Sequence, residues 1–167
     1  VIADNQAQGC RLEWGWPENR AALRLLARFI DVLDDVDEEL RLLEWLVSTL
    51  NPSDNKGWRE PLARLLIESG RAADALALCE RYPGDSLGAM LYARVLALHQ
   101  LARLDDAATA LTLARQNRPK ILGTLIADRP SAPELDFDAT FIDDDDEAWY
   151  YRMDWLTVWT NSGALDW

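Results

Sequence analysis

The chain has 167 residues, 49% of them apolar, and a formal net charge of -12 from 29 acidic and 17 basic residues. That composition supports one buried core, and its negative charge argues against nucleic acid and anionic membrane while favouring a basic partner. No apolar run reaches the roughly 20 residues of a bilayer-spanning helix, no secretory leader is visible, and Cys10 and Cys79 form no Cys-x-x-Cys pair, so a cytoplasmic protein is expected.

Opening on Val1 suits a processed or trimmed chain, or one domain of a longer protein. Pro17 fits a first helical turn, and Leu23, Leu26, Ala27, Ile30 and Leu33 recur at helical spacing, which predicts a helix over about 18–33. The acidic cluster Asp34 to Glu39 lies where a helix dipole favours carboxylates, and it opens a second run, Leu40, Leu43, Leu46, Val47 and Leu50, that ends at Asn51-Pro52. Ser53, Asp54 and Asn55 offer N-caps for a third helix through Leu62, Leu65, Leu66 and Ile67, stopped by Gly70. A fourth helix is expected over 72–81, ahead of Tyr82-Pro83-Gly84-Asp85, with a fifth over 87–101 and a sixth over 105–117 before Pro119. A short helix over 120–127 leads to an extended connector at Arg129-Pro130-Ser131-Ala132-Pro133, and an aromatic helix over 145–160 stops at Gly163.

Within this series the chain repeats itself. Leu66-x-x-x-Gly70-Arg71-x-x-Asp74-Ala75 is echoed 32 residues later by Leu98-x-x-x-Ala102-Arg103-x-x-Asp106-Ala107. A period near 34 residues is that of stacked helical hairpins, each burying its apolar face on the next. The expected fold is all-α: a right-handed stack of three antiparallel hairpins at about 18–50, 54–82 and 86–118, closed by the elements of 120–167, with no β-structure.

Ala102, Leu104, Ala107, Leu111, Ala114 and Pro119 stand at the recurring positions of a tetratricopeptide repeat, which the third hairpin resembles. The two alanines admit close helix approach, the leucines fill the seam, and the proline stops the helix. Arg94 and Val95 depart from the pattern, where the family usually has Leu and Gly. The string Asn51-Pro52-x-Asp54-Asn55-x-Gly57-x-Arg59 and the ending Trp159-x-x-x-Gly163-Ala164-Leu165-x-Trp167 are similar to poorly characterised bacterial tetratricopeptide-like domains. The resemblance implies architecture and a binding role, and it carries over no catalytic residue.

Candidate chemistry is sparse. His99 is the single histidine, no serine or cysteine has a base and orienting carboxylate at a known spacing, and no glycine-rich phosphate loop occurs. No catalytic residue, metal ligand or cofactor is therefore assigned. Asp136 to Glu147 places oxygen side chains at positions 1, 3, 5, 9 and 12 of a calcium loop, but Phe141 replaces the glycine at position 6 and Pro130 and Pro133 deny it an entering helix. A solvated acidic loop that caps the last helix is the plainer expectation.

The function expected is non-enzymatic binding of a protein or peptide. If the hairpins stack as in the family, a concave face presents Glu60, Arg64, Glu68, Tyr92, His99 and Gln100. The alternative is an acidic inhibitor, immunity protein or chaperone of a basic protein; a calcium-responsive module ranks below both. Arg20, Arg24 and Arg28 share one face of the first helix, either paired with nearby acids or lining a groove for an acidic peptide. On the last helix Trp149, Met153 and Leu156 are expected to pack inward, leaving Tyr151, Trp155 and Trp159 either to complete a cap or to form an aromatic contact site; the need of a terminal repeat to hide its apolar face favours the cap.

Overall fold

The computed structural model describes residues 11–133 and 143–167. Among the described residues the protein is all-α, with eight α-helices, one π-helical turn and no strand. No helix among them is long and apolar enough to cross a membrane. The chain divides into two compact units, residues 1–65 and 66–167.

In the first unit, α1 (Pro17–Ile30) starts with its proline in the first turn, where no backbone donor is lost. It ends three residues short of Leu33, because Val32 and Leu33 donate to Phe29 and Ile30 in tight turns. Asp35 caps α2 (Val36–Trp45), accepting from the backbone N–H groups of Asp37 and Glu38. The helix then widens into a π-turn over Leu46–Leu50, where the Asn51 N–H reaches back five residues to the Leu46 carbonyl at 2.8 Å. Leu43, Leu46, Val47 and Leu50 are fully buried; burying each such side chain contributes about 1.5–3 kcal/mol.

The Asn51 to Arg59 string is a capping device. Asp54 adopts a left-handed φ of 45° and is almost wholly buried. Its carboxylate accepts from the Trp58 N–H at 2.8 Å and the Arg59 N–H at 2.9 Å, and pairs with the Arg59 guanidinium at 2.8 Å. A buried carboxylate is tolerable only with this full set of donors, and here it seats the start of α3 (Arg59–Glu68).

The second unit holds α4 (Ala72–Arg81), α5 (Gly88–Gln100), α6 (Leu104–Asn117), α7 (Pro119–Ile126) and α8 (Asp144–Asn161). The sequence echo marks two matching turns. Gly70 and Ala102 both adopt left-handed φ, 72° and 56°. After each, the arginine N–H reaches back to Leu66 or Leu98, at 2.8 and 2.9 Å, while Gly70 and Ala102 donate to Ile67 and His99. These are paired Schellman caps. Each arginine then pairs with the aspartate three residues on, Arg71 with Asp74 at 2.6 Å and Arg103 with Asp106 at 2.7 Å, and each following alanine, Ala75 and Ala107, is fully buried.

α5 is the centre of this unit, in contact with α4, α6 and α8, while α7 packs on α6 and α8. Gly88 opens α5 where a Cβ would collide with Ile121 Cδ1 and stand 2.8 Å from Glu147 Oε1. Its N–H donates to Glu147 at 3.1 Å, and the same carboxylate pairs with Arg118 at 2.9 Å. The start of α5, the end of α6 and the start of α8 therefore meet at one carboxylate.

Candidate functional site

The aromatic residues of α8 face inward. Ala148, Tyr151, Trp155, Val158 and Trp159 are buried, a three-and-four spacing that places them on one stripe. Tyr151 stacks on Trp155 with ring centres 5.5 Å apart, and Tyr92 of α5 meets Tyr151 at 5.4 Å and Trp159 at 6.3 Å. Trp159 Nε1 donates to the Tyr151 hydroxyl at 2.7 Å, and the Tyr92 hydroxyl donates to the Arg118 carbonyl at 3.2 Å, so the polar tips are satisfied inside the cluster. Burial pushes the Tyr151 hydroxyl well above the usual phenol range and raises Tyr92 as well.

This corrects two expectations of facing. Tyr92 is fully buried, not displayed on an open face. Tyr151, Trp155 and Trp159 form the inward stripe, while Met153, assigned to it from the sequence, is 65% exposed and Trp149 and Leu156 are half-buried. Ala148 and Val158, apolar at the same spacing as the rings, mark this stripe in the sequence.

The remaining residues expected on the concave face differ in exposure. Glu60 and Arg64 on α3 are half-buried, and Glu68, near its end, is exposed. His99 is half-buried against the Trp167 ring at 5.4 Å, with its Nδ1 buried and, among the described residues, without a hydrogen-bond partner. Gln100 is exposed, but its side-chain amide donates to the Ile67 carbonyl at 3.3 Å.

An open feature lies elsewhere in the second unit. A groove of about 370 Å³ runs between α6, α7 and the turn after α8, walled by Leu111, Leu122, Ile126, Leu165 and Trp167. Gly163, at φ 70°, reverses the chain after α8, Ala164 is buried, and Leu165 and Trp167 are thereby laid along the groove. Ile126 is 58% and Trp167 45% exposed. Asp105 stands on α6 one turn before Ala108, a lining residue, and Asp166 sits between the two C-terminal lining residues; both carboxylates are on exposed residues. No sequence motif marks this groove, because it depends on where α7 stops.

Cys79 and the acidic residues at the start of α8 have structural partners. The Cys79 thiol is buried, donates to the Met90 carbonyl at 3.7 Å, and is pushed by burial from 9.0 to about 12, which makes it a poor nucleophile. Residues 136–142 of the calcium-like string lie outside the described residues. Of the remainder, Asp143 caps α8 by accepting from Asp145 and Asp146, Asp145 pairs with Lys120 at 2.6 Å, and Glu147 pairs with Arg118. Among the described residues no group of three or more His, Cys, Asp or Glu side chains is placed to hold a metal.

The chain matches no protein-family model, no curated protein and no solved structure.

Proposed function

We propose that this protein is a non-enzymatic interaction module, built from tetratricopeptide-like hairpins in a right-handed three-hairpin stack, that holds a protein or peptide segment on its helical surface. With Tyr92 beneath α8, the docking surface in this reading is the groove between α6, α7 and the C-terminal turn. The observation that carries it is a continuous apolar wall left open on a well-packed unit, with Ile126 58% and Trp167 45% exposed. Asp105 and Asp166 beside that wall, on a chain of net charge -12, favour a basic segment with apolar anchors. An acidic inhibitor or chaperone of a basic protein would use the same charges.

The test is capture of partners by tagged protein from the native source, comparing wild type with Ile126→Glu and Trp167→Ala. Ile126 is well exposed, so thermal stability of Ile126→Glu should stay within about 0.5 kcal/mol, while Trp167→Ala also gives up the ring contact with His99 and should lose about 1 kcal/mol without unfolding. A partner held by wild type and lost from both variants supports the groove. Retention at the wild-type level removes it.

A further inference from the structure

Independently of that groove, the first unit gathers positive charge around one ring. Arg20 and Arg24 of α1 and Lys56, from the segment before α3, approach the Trp14 indole at 5.5, 5.6 and 5.2 Å from its centre. Arg20 also donates through Nε to the Trp14 carbonyl at 3.0 Å, which fixes its guanidinium beside the ring. None of the three is in a salt bridge among the described residues, although acidic side chains outnumber basic ones in this protein by 29 to 17. The next arginine on the stripe behaves ordinarily: Arg28 pairs with Asp31 at 3.4 Å.

Like charges held together around a quadrupole repel one another, and the attraction of each for the ring only partly offsets this. A guanidinium held beside an aromatic ring keeps its remaining N–H donors for an anion, and Arg20 retains its two Nη groups after Nε is spent on the Trp14 carbonyl, a fork that matches a carboxylate. Lys56 adds a mobile point charge from a different segment. An anion among the three would offset their repulsion.

We propose that Trp14, Arg20, Arg24 and Lys56 form a binding site for an acidic peptide segment, read by side-chain carboxylates seated on the two guanidinium forks. A peptide is favoured over nucleic acid because the chain's negative charge opposes a long polyanion, whereas a few carboxylates sense mainly the local cluster.

The probe is fluorescein-labelled hexaglutamate, followed by anisotropy at low salt with the full chain. Saturable binding is expected, weakened at least ten-fold in Arg20→Gln/Arg24→Gln and weakened as salt rises. Arg41→Gln, which removes one charge on α2, should bind as wild type does. Trp14→Leu keeps all three cations but loses the platform and should bind several-fold more weakly. Circular dichroism confirms that each variant is folded. The proposal is overturned by no binding to wild type at millimolar peptide, by equal loss in Arg41→Gln and Arg20→Gln/Arg24→Gln, or by equal binding in Trp14→Leu. Binding of inorganic phosphate or of single-stranded oligonucleotide in preference to hexaglutamate overturns the choice of ligand. Ile126→Glu is expected to bind hexaglutamate normally, which separates this site from the groove.

Discussion

α4 and α6 begin from the same turn and end in different surroundings. Each follows a Schellman cap, an Arg–Asp pair and a fully buried alanine, so the two can be aligned residue by residue at the 32-residue offset. Cys79 of α4 then corresponds to Leu111 of α6. Cys79 is 8% exposed beneath α5, a helix of 13 residues, whereas Leu111 lines an open groove because α7, the helix that follows α6, has only 8. The difference teaches that an open apolar surface arises here where the repetition is cut short, since a seam that meets a helix of 13 residues in one place meets one of 8 in the other.

Perturbations matched across the two helices test that equivalence. The largest effect should be alkaline. Cys79 titrates near 9.0 when unfolded and near 12 when folded, so its contribution to stability is complete below pH 9 and is lost as pH rises toward 12. Three pKa steps correspond to about 4 kcal/mol. Denaturant melts at pH 8 and pH 11 should show about two-thirds of this loss in wild type and less of it in Cys79→Val, while raised Tyr92 and Tyr151 leave a residual loss above pH 10 in both.

Overpacking comes next. Ala75→Leu and Ala107→Leu each insert bulk where no accessible surface remains and should each lose about 1–3 kcal/mol. A loss at only one of them would break the comparison. At the turns themselves the signs should oppose. Gly70→Ala forces a Cβ into left-handed backbone and should lose about 1 kcal/mol, whereas Ala102→Gly relieves the same strain and should gain about 0.5–1 kcal/mol. Thermal melts would resolve a shift of about 2–4 °C per kcal/mol for a chain of this size. The smallest effect belongs to Asp74→Asn and Asp106→Asn, whose ion pairs are half exposed and should be worth under about 0.5 kcal/mol each.

What the sequence made legible is local. Prolines, glycines and capping aspartates marked the ends of α4, α7 and α8 to within about a residue, because a cap is a matter of a few neighbouring atoms. Asp54, expected as one of three cap candidates, is the residue that seats α3. What stayed hidden is set by long separations. Tyr92 is buried by rings from Tyr151 and Trp159, and Lys56 reaches Trp14 from beyond two helices. The π-turn at Leu46–Leu50 has no composition of its own, since the residues around it keep ordinary helical spacing. Of the residues expected to bind, those on α3, His99 and Gln100 keep some exposure, whereas the rings of α8 face inward, which spacing alone does not tell because aromatic residues surround that helix.

The carboxylate of Glu147 carries a further consequence, one of timing. Its bonds to Gly88 and Arg118 span 59 and 29 residues, whereas the caps and ion pairs of the two turns close within five. Loops that long are entropically slow to close. The hairpins around α5 should therefore form first and α8 dock last, with Tyr92 wetted until it arrives. In native-state hydrogen exchange, the amides of α8 should open together and at lower free energy than those of α5.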